Sequence, residues 1–204
     1  KIMDNTDNKE NIMDNTDNKE NIIEFGKIIK DLLNDLKITF SDKFENIILH
    51  NEYQIIYNND LTILEKDDYN TTEYEIFNSV EKIFNYCVIN LPKNFFDILY
   101  QNEKLFDNKE NTELLPNIYF SEIYYDITSE QTKNTIWKYL QCILFSVITN
   151  VNNKESFGVN NKLFEVINSN EFKEKIESTV NDLSKMFKNR ENNNNNSTNT
   201  NNEN

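Results

Sequence analysis

The sequence predicts an all-α protein, a single helical bundle of about six helices between residues 22 and 188, with disordered polar ends. Apolar residues recur at three- and four-residue spacing in several segments, as on the buried face of an amphipathic helix. Two of these segments open with capping-box patterns. The segment around Trp137, the only tryptophan, is apolar on nearly all sides, which places it at the centre of the bundle.

The two ends of the chain are too polar to bury a core of their own. Residues 2–10, IMDNTDNKE, recur unchanged at 12–20, and each copy has one short apolar pair among polar residues. We interpret residues 1–21 as a disordered tandem decapeptide repeat and residues 189–204 as a disordered asparagine-rich tail. The helical domain then occupies residues 22–188, a length that suits one domain.

The first helix is expected from about Ile22 to Ile38, where apolar residues repeat every three or four positions and Gly26 weakens the helix slightly. A shorter helix is expected after Ser41. The next segment, Tyr53–Tyr57, has strand-like composition but no neighbouring partner strand, so helix and strand both stay open there.

Thr72 and Glu75 have capping-box spacing and predict the start of the following helix. The dipeptide Leu91-Pro92 ends it, because the residue before proline avoids the helical region. The proline then suits the first turn of another helix, whose run FFDILY predicts burial on more than one side.

Residues 107–126 form a long connection that is too apolar to be a free linker. In one interpretation it packs across the helices. In the other it is a preformed recognition loop, because large aromatic side chains on loops are common interface anchors. The candidate partner-contact residues are Leu115, Pro116, Tyr119 and Tyr124.

Thr128 and Gln131 form a second capping box, which opens the central helix. Beyond it, Asn160 can cap a short helix through Ile167, and Asn170 can cap a one-sided helix that covers the bundle. The residues predicted to anchor the core on the central helix are Trp137, Leu140, Ile143 and Leu144.

The net charge of −14 is concentrated in one part of the chain. Residues 41–126 hold 17 acidic residues against six lysines, whereas residues 127–188 hold eight lysines and seven acids. An acidic surface repels nucleic-acid phosphates and anionic lipid, so we expect no direct nucleic-acid binding and a protein partner with a basic surface. A solvated surface that only keeps the protein soluble is the simpler alternative.

The apolar runs and the two cysteines indicate the cellular compartment of the protein. No apolar run approaches the roughly 18 residues that a membrane helix needs, so we expect no membrane partner. Cys87 and Cys142 both lie in apolar helical patterns, which suits buried thiols in a reducing, intracellular compartment.

The sequence identifies no catalytic residue, cofactor site or metal site. It has one histidine, His50, and no CxxC, HExxH, glycine-rich phosphate-loop or dinucleotide-binding motif. With 35 acidic residues, chance carboxylate pairs such as Asp67-Asp68 are expected and select no active site. A carboxylate-dependent enzyme stays open as a third function, and would need a pocket lined by acids of raised pKa.

Three segments resemble an uncharacterised protein family of giant viruses of the mimivirus and algal-virus kind: residues 95–106, 113–148 and 157–167. The family pattern has an L-P-G-I-D-F-like turn before a W-K-Y-L-Q helix, and here Asn117 and Tyr119 replace its glycine and aspartate. The resemblance implies a viral origin, in host cytoplasm or virion, and implies no activity. The alanine-free, asparagine-rich composition is compatible with an AT-rich genome of this kind.

Together these patterns predict a non-enzymatic protein-interaction or accessory factor. The alternative is an acidic decoy or chaperone for a basic nucleic-acid-binding protein, in which carboxylates mimic phosphate.

Overall fold

The computed structural model describes the backbone of residues 7–107, 112–148 and 169–197, and it confirms the all-α class. The α-helices are α1 Asp7–Thr39, α2 Ser41–Ile47, α3 Asn51–Asn58, α4 Thr71–Asn90, α5 Phe95–Leu99, α6 Phe120–Tyr124, α7 Glu130–Ile148 and α8 Asn170–Ser197. The shorter elements are 3-10 helices at Leu61–Leu64, Leu91–Asn94 and Glu103–Phe106, and an antiparallel pair of strands, β1 Glu113–Leu115 and β2 Ile118–Tyr119.

The core lies where three long helices meet. Helices α1, α4 and α7 pack against one another, and α8 covers α7. The ring of Phe25 on α1 meets the ring of Phe84 on α4 edge to face, with centroids 5.2 Å apart. The four predicted core anchors of α7 are each at most 2% exposed.

Helix α1 begins earlier than predicted, at Asp7 instead of Ile22. The decapeptide contains neither proline nor glycine, and extending an existing helix costs much less than nucleating a new one. The Lys19 ammonium donates to the Lys66 carbonyl and lies 4.5 Å from the centroid of the Tyr69 ring. The end of the second repeat copy therefore contacts the segment between the first 3-10 helix and α4. Helix α1 continues through residue 21, where the boundary of the helical domain was expected.

Helix α8 also passes the expected boundary at residue 188 and ends at Ser197. Its first turn is capped by Ser169, whose hydroxyl accepts from the backbone N–H of Phe172 at 3.1 Å, one residue before the predicted cap at Asn170. The short helix predicted from Asn160 to Ile167 lies outside the described residues.

The segment Tyr53–Tyr57, left open between helix and strand, is part of helix α3. Tyr53 and Ile56 are buried, at 1% and 0% exposed, and their three-residue spacing places both on one face of α3, which packs against α4 and α1. Burial on one helical face therefore overrides the β propensity of the isoleucines.

Both helix starts predicted from capping boxes are displaced, by two residues in α4 and by one in α7. In α4 the capping box joins Asn70 to Glu73 instead of Thr72 to Glu75, with each side chain bound to the other residue's backbone N–H. Asparagine is a better cap than threonine, so the helix begins earlier. Helix α7 begins at Glu130, later than the box predicted at Thr128.

The two cysteines are free and buried, as their apolar surroundings predict. Burial raises the pKa of Cys142 to about 12 and raises that of Cys87 further, so neither is a reactive thiolate. Across the described ranges, no helix has an apolar stretch long enough to span a bilayer.

Candidate protein-interaction surface

The connection between α5 and α7 contains a tight turn that the sequence patterns do not predict. Strands β1 and β2 pair with Glu113 opposite Tyr119 and Leu115 opposite Ile118, so that Pro116 and Asn117 form the turn. The φ angle of Asn117 is 60°, in the left-handed region that favours glycine and admits asparagine more readily than most residues.

The backbone of this turn is held by side chains from two helices. The buried Tyr53 hydroxyl of α3 donates to the Pro116 carbonyl at 2.8 Å. The Tyr86 hydroxyl of α4 donates to the Glu113 carbonyl at 2.9 Å. Across the turn, the Asn117 N–H donates to the Glu113 carboxylate at 2.8 Å. The turn is therefore preorganised by contacts from α3 and α4, which precede it in the sequence.

A buried pair of hydroxyls ties the hairpin to the helix that follows it. The hydroxyls of Thr112 and Ser121 lie 3.0 Å apart, and the Phe120 N–H donates to the Thr112 carbonyl at 2.9 Å. Phe120 itself is fully buried. The short helix α6 is therefore packed and hydrogen-bonded to the hairpin.

The four predicted contact residues separate into two groups. Leu115 and Tyr124 are 0% and 3% exposed and belong to the core, whereas Pro116 is half-buried and Tyr119 is 44% exposed. Packing across the helices therefore accounts for Leu115 and Tyr124, which are not available to a partner. Of the four, Tyr119 is the residue whose side chain a partner could contact extensively.

Tyr124 is part of an aromatic cluster that joins α6 to α7. Its ring stacks on Phe106 with centroids 4.3 Å apart, and its hydroxyl donates to the Glu103 carboxylate at 2.6 Å. The indole N–H of Trp137 donates to the same hydroxyl at 3.4 Å. Burial, reinforced by the hydrogen bond to Glu103, raises the pKa of Tyr124 to about 12, so this phenol remains neutral and structural.

A small groove runs between α2 and the exposed edge of the turn, and we call it the Tyr119 groove. It has a volume of about 100 Å³. Its floor is aliphatic, formed by Ile47, Ile118 and Ile123, which are each less than 10% exposed. The residues around the floor are Lys43, Asn46, His50, Asn117, Tyr119 and Glu122. The α2 side of the groove was not predicted, since nothing in the local sequence links it to the turn.

Two charged side chains of opposite sign, Lys43 and Glu122, line the Tyr119 groove, and two more carboxylates, Asp42 and Asp126, lie near Lys43. The Lys43 ammonium lies 3.2 Å from the Asp126 carboxylate. The pKa of Lys43 is raised, first by its hydrogen bond to Asp126 and then by the nearby charges of Asp42 and Glu122. Three carboxylates therefore act on one ammonium group at the edge of the groove.

Two other depressions in the described surface have different chemistry. One, of about 110 Å³ between α1 and α7, contains Tyr139, whose hydroxyl donates to the Asp35 carboxylate at 2.7 Å. The other, of about 320 Å³, lies beside Lys19 and Asp67 and is lined mainly by charged side chains. Small-molecule sites usually hold about 300–1,000 Å³ and have mainly apolar walls. The first depression is smaller than such a site, and the second reaches the lower end of this volume range but has charged residues at six of its eight lining positions.

Three carboxyl groups have pKa values below their ordinary range, and each has a structural cause. The pKa of Glu73 is lowered first by its hydrogen bond to Lys66, that of Asp60 by the Thr62 N–H, and that of Glu52 by a backbone N–H. A carboxylic acid that donates a proton near neutral pH needs a raised pKa, so these three are not candidates for that role. Within the described segments, no group of three or more His, Cys, Asp or Glu side chains is arranged to hold a metal.

The fold and this surface define a mainly α-helical protein with a preorganised turn that presents one exposed tyrosine over a small groove. Comparison of the chain with family models, curated proteins and solved structures finds no match. The resemblance to giant-virus proteins therefore stays a prediction.

Proposed function

We propose that the protein is a non-enzymatic accessory factor that binds a protein partner through Tyr119 and the Tyr119 groove. The observation that carries the proposal is the preorganised turn, because binding through a rigid surface avoids the entropy cost of ordering a loop. A tyrosine with a large exposed ring above a recess is also the type of residue that contributes strongly to interfaces.

The small size of the Tyr119 groove favours a protein partner over a small molecule at this site. A recess of about 100 Å³ can admit one side chain but not a metabolite. The carboxylates of Asp42, Glu122 and Asp126 around the single Lys43 ammonium further favour a partner with a basic surface. On the resemblance stated above, we propose a giant-virus origin for this factor, with the virion or host cytoplasm as its place of action.

Affinity purification with matched variants tests the proposal. Tyr119→Ala should lose the specific partner. Tyr74→Ala should retain it, because Tyr74 is also exposed, at 59%, but lies on the first turn of α4 and does not line the groove. Recovered proteins would be compared by quantitative mass spectrometry, with thermal unfolding measured for each variant. Equal recovery by Tyr119→Ala and wild type would refute the proposed site.

A third variant tests preorganisation. Tyr53→Phe removes the hydroxyl that holds the Pro116 carbonyl while leaving Tyr119 unchanged. We expect a loss of about 1–3 kcal/mol in the free energy of unfolding, since one buried hydrogen bond is broken. Partner recovery should also fall, because the turn is less constrained. Unchanged recovery would show that Tyr119 does not depend on this hydrogen bond for its position.

The acidic-decoy function is favoured by a separate observation, the 17 acids against six lysines in residues 41–126. A decoy would bind through many surface carboxylates, so affinity should fall steeply with salt and Tyr119→Ala should have little effect. Repeating the purification at 0.1 M and 0.5 M salt therefore distinguishes the two functions.

A further inference from the structure

Lys43 occupies a position at the Tyr119 groove that a partner's cation could take. Its ammonium hydrogen-bonds Asp126, and Asp42 and Glu122 also act on its charge. Because three carboxylates share one internal cation, the site keeps an excess of negative charge beside the apolar floor.

The ion pair between Lys43 and Asp126 is exposed enough for another cation to replace Lys43. The Asp126 side chain is 56% exposed and the Lys43 side chain is 27% exposed, so water reaches both groups. Exposed ion pairs are weak and are screened by salt. A second lysine or arginine can therefore displace Lys43 without leaving a buried charge unpaired.

The volume of the groove limits the size of the partner side chain that can lie next to the partner's cation. Its volume of about 100 Å³ corresponds to the space of roughly three water molecules. Ile118 and Ile123 form part of the floor, and the half-exposed ring of Tyr119 forms one wall. One aliphatic side chain fits this space.

We infer that the Tyr119 groove binds a short basic segment of the partner protein, with an aliphatic side chain over Ile118 and Ile123 and a neighbouring lysine or arginine in place of Lys43 beside Asp126. This inference rests on the proposed function and adds the chemistry of the partner. Charge complementarity selects this occupant over an acidic or neutral segment.

Binding of three synthetic peptides to the isotopically labelled full chain tests the inference by NMR. The first peptide has the sequence GSLKKSG, the second replaces its leucine by alanine, and the third replaces both lysines by glutamate. The first should produce saturable shifts at Ile118, Tyr119 and Glu122. The second should bind more weakly, and the third should not bind.

Variants of the protein separate the groove from overall charge. Lys43→Gln should tighten binding of GSLKKSG about twofold to fivefold, the range that loss of one exposed competing ion pair allows. Lys93→Gln makes the same change in net charge at an exposed lysine outside the groove and should leave affinity nearly unchanged. Glu122→Gln and Asp126→Asn should each weaken binding, while Lys43→Arg should resemble wild type.

Equal tightening by Lys43→Gln and Lys93→Gln, or binding of the glutamate peptide, would overturn the inference. If no peptide binds but Tyr119→Ala still loses its partner in affinity purification, the inferred chemistry is wrong and the proposed function stands. If Tyr119→Ala retains every partner, the proposed function itself is wrong.

Discussion

Replacing Gly26 by alanine should destabilise the protein, although alanine is the better helix former. Gly26 lies inside α1, where it faces α4 and the 3-10 helix at Leu61–Leu64. A Cβ at this position would lie 2.8 Å and 3.0 Å from the two γ-methyl carbons of Val80, and 3.3 Å from Cδ1 of Leu61. The first of these contacts is shorter than carbon atoms tolerate without movement.

Two opposing effects decide the magnitude. Alanine gains about 1 kcal/mol of helix propensity over glycine. Overpacking a close-packed core costs typically about 1–3 kcal/mol. Val80 is fully buried and β-branched, so it has little freedom to rotate away from the new methyl group. We therefore expect Gly26→Ala to lower the free energy of unfolding by roughly 1 kcal/mol, or about 2–4 °C in Tm.

The effect of Gly26→Ala on stability should change sign when the methyl groups of Val80 are absent. Val80→Ala alone is destabilising because it leaves a cavity. In that background Gly26→Ala should be stabilising by up to about 1 kcal/mol, since the helix gain remains and the steric cost is removed. The two substitutions should therefore be coupled by about 1–3 kcal/mol in a double-mutant cycle.

Urea denaturation, monitored by circular dichroism, gives the free energy of unfolding of all four proteins in the cycle. Asn85→Ala is the matched control, because Asn85 is exposed on α4 and its replacement changes helix propensity without adding core volume. A Gly26→Ala protein that is more stable than wild type, or a cycle with no coupling, would refute the close contact between α1 and α4.

Two further predictions concern the core and the α4 cap. Trp137 is the only tryptophan and is 2% exposed, so its fluorescence should be blue-shifted and weakly quenched by iodide in the native state; strong quenching would contradict the packing of α7. The pKa of Glu73 is lowered first by its hydrogen bond to Lys66 and then by the Asn70 N–H, so its ionised form contributes stability above the ordinary glutamate pKa. Glu73→Gln should therefore lower Tm at pH 7, and the difference from wild type should disappear as pH falls through the folded-state pKa; a difference that persists at pH 2 would contradict this linkage.

Much of the fold could be predicted, because helical burial repeats over short distances in the chain. The spacing of Ile136, Leu140 and Ile143 was sufficient to place α7 in the core. Where competing signals lay within a few residues, the prediction was less accurate: the cap of α4 is Asn70, not Thr72, and the strand-like Tyr53–Tyr57 is helical. In each of these cases the outcome depended on which side chains a neighbouring element could bury or bond.

The candidate site was only partly predictable. The apolar composition of residues 107–126 indicated that this segment packs or binds, but it could not distinguish buried Tyr124 from exposed Tyr119. It also contained no sign of Lys43 or Ile47, which lie on a helix far away in the chain. The Asn117 conformation has a local signal, since asparagine admits positive φ, but the hydrogen bond from Tyr53 to the adjacent Pro116 carbonyl comes from a helix far away in the chain.

The sequence by itself determined that this protein is helical, which helix is central and where its acidic charge lies, since periodicity and composition are local properties. Only the tertiary structure decided that Gly26 is a contact point between helices, that Tyr119 remains accessible while Tyr124 does not, and that α2 completes a groove at the turn. The physical reason is that exposure and proximity depend on packing between residues far apart in the chain, and side-chain spacing within one segment carries no information about that packing.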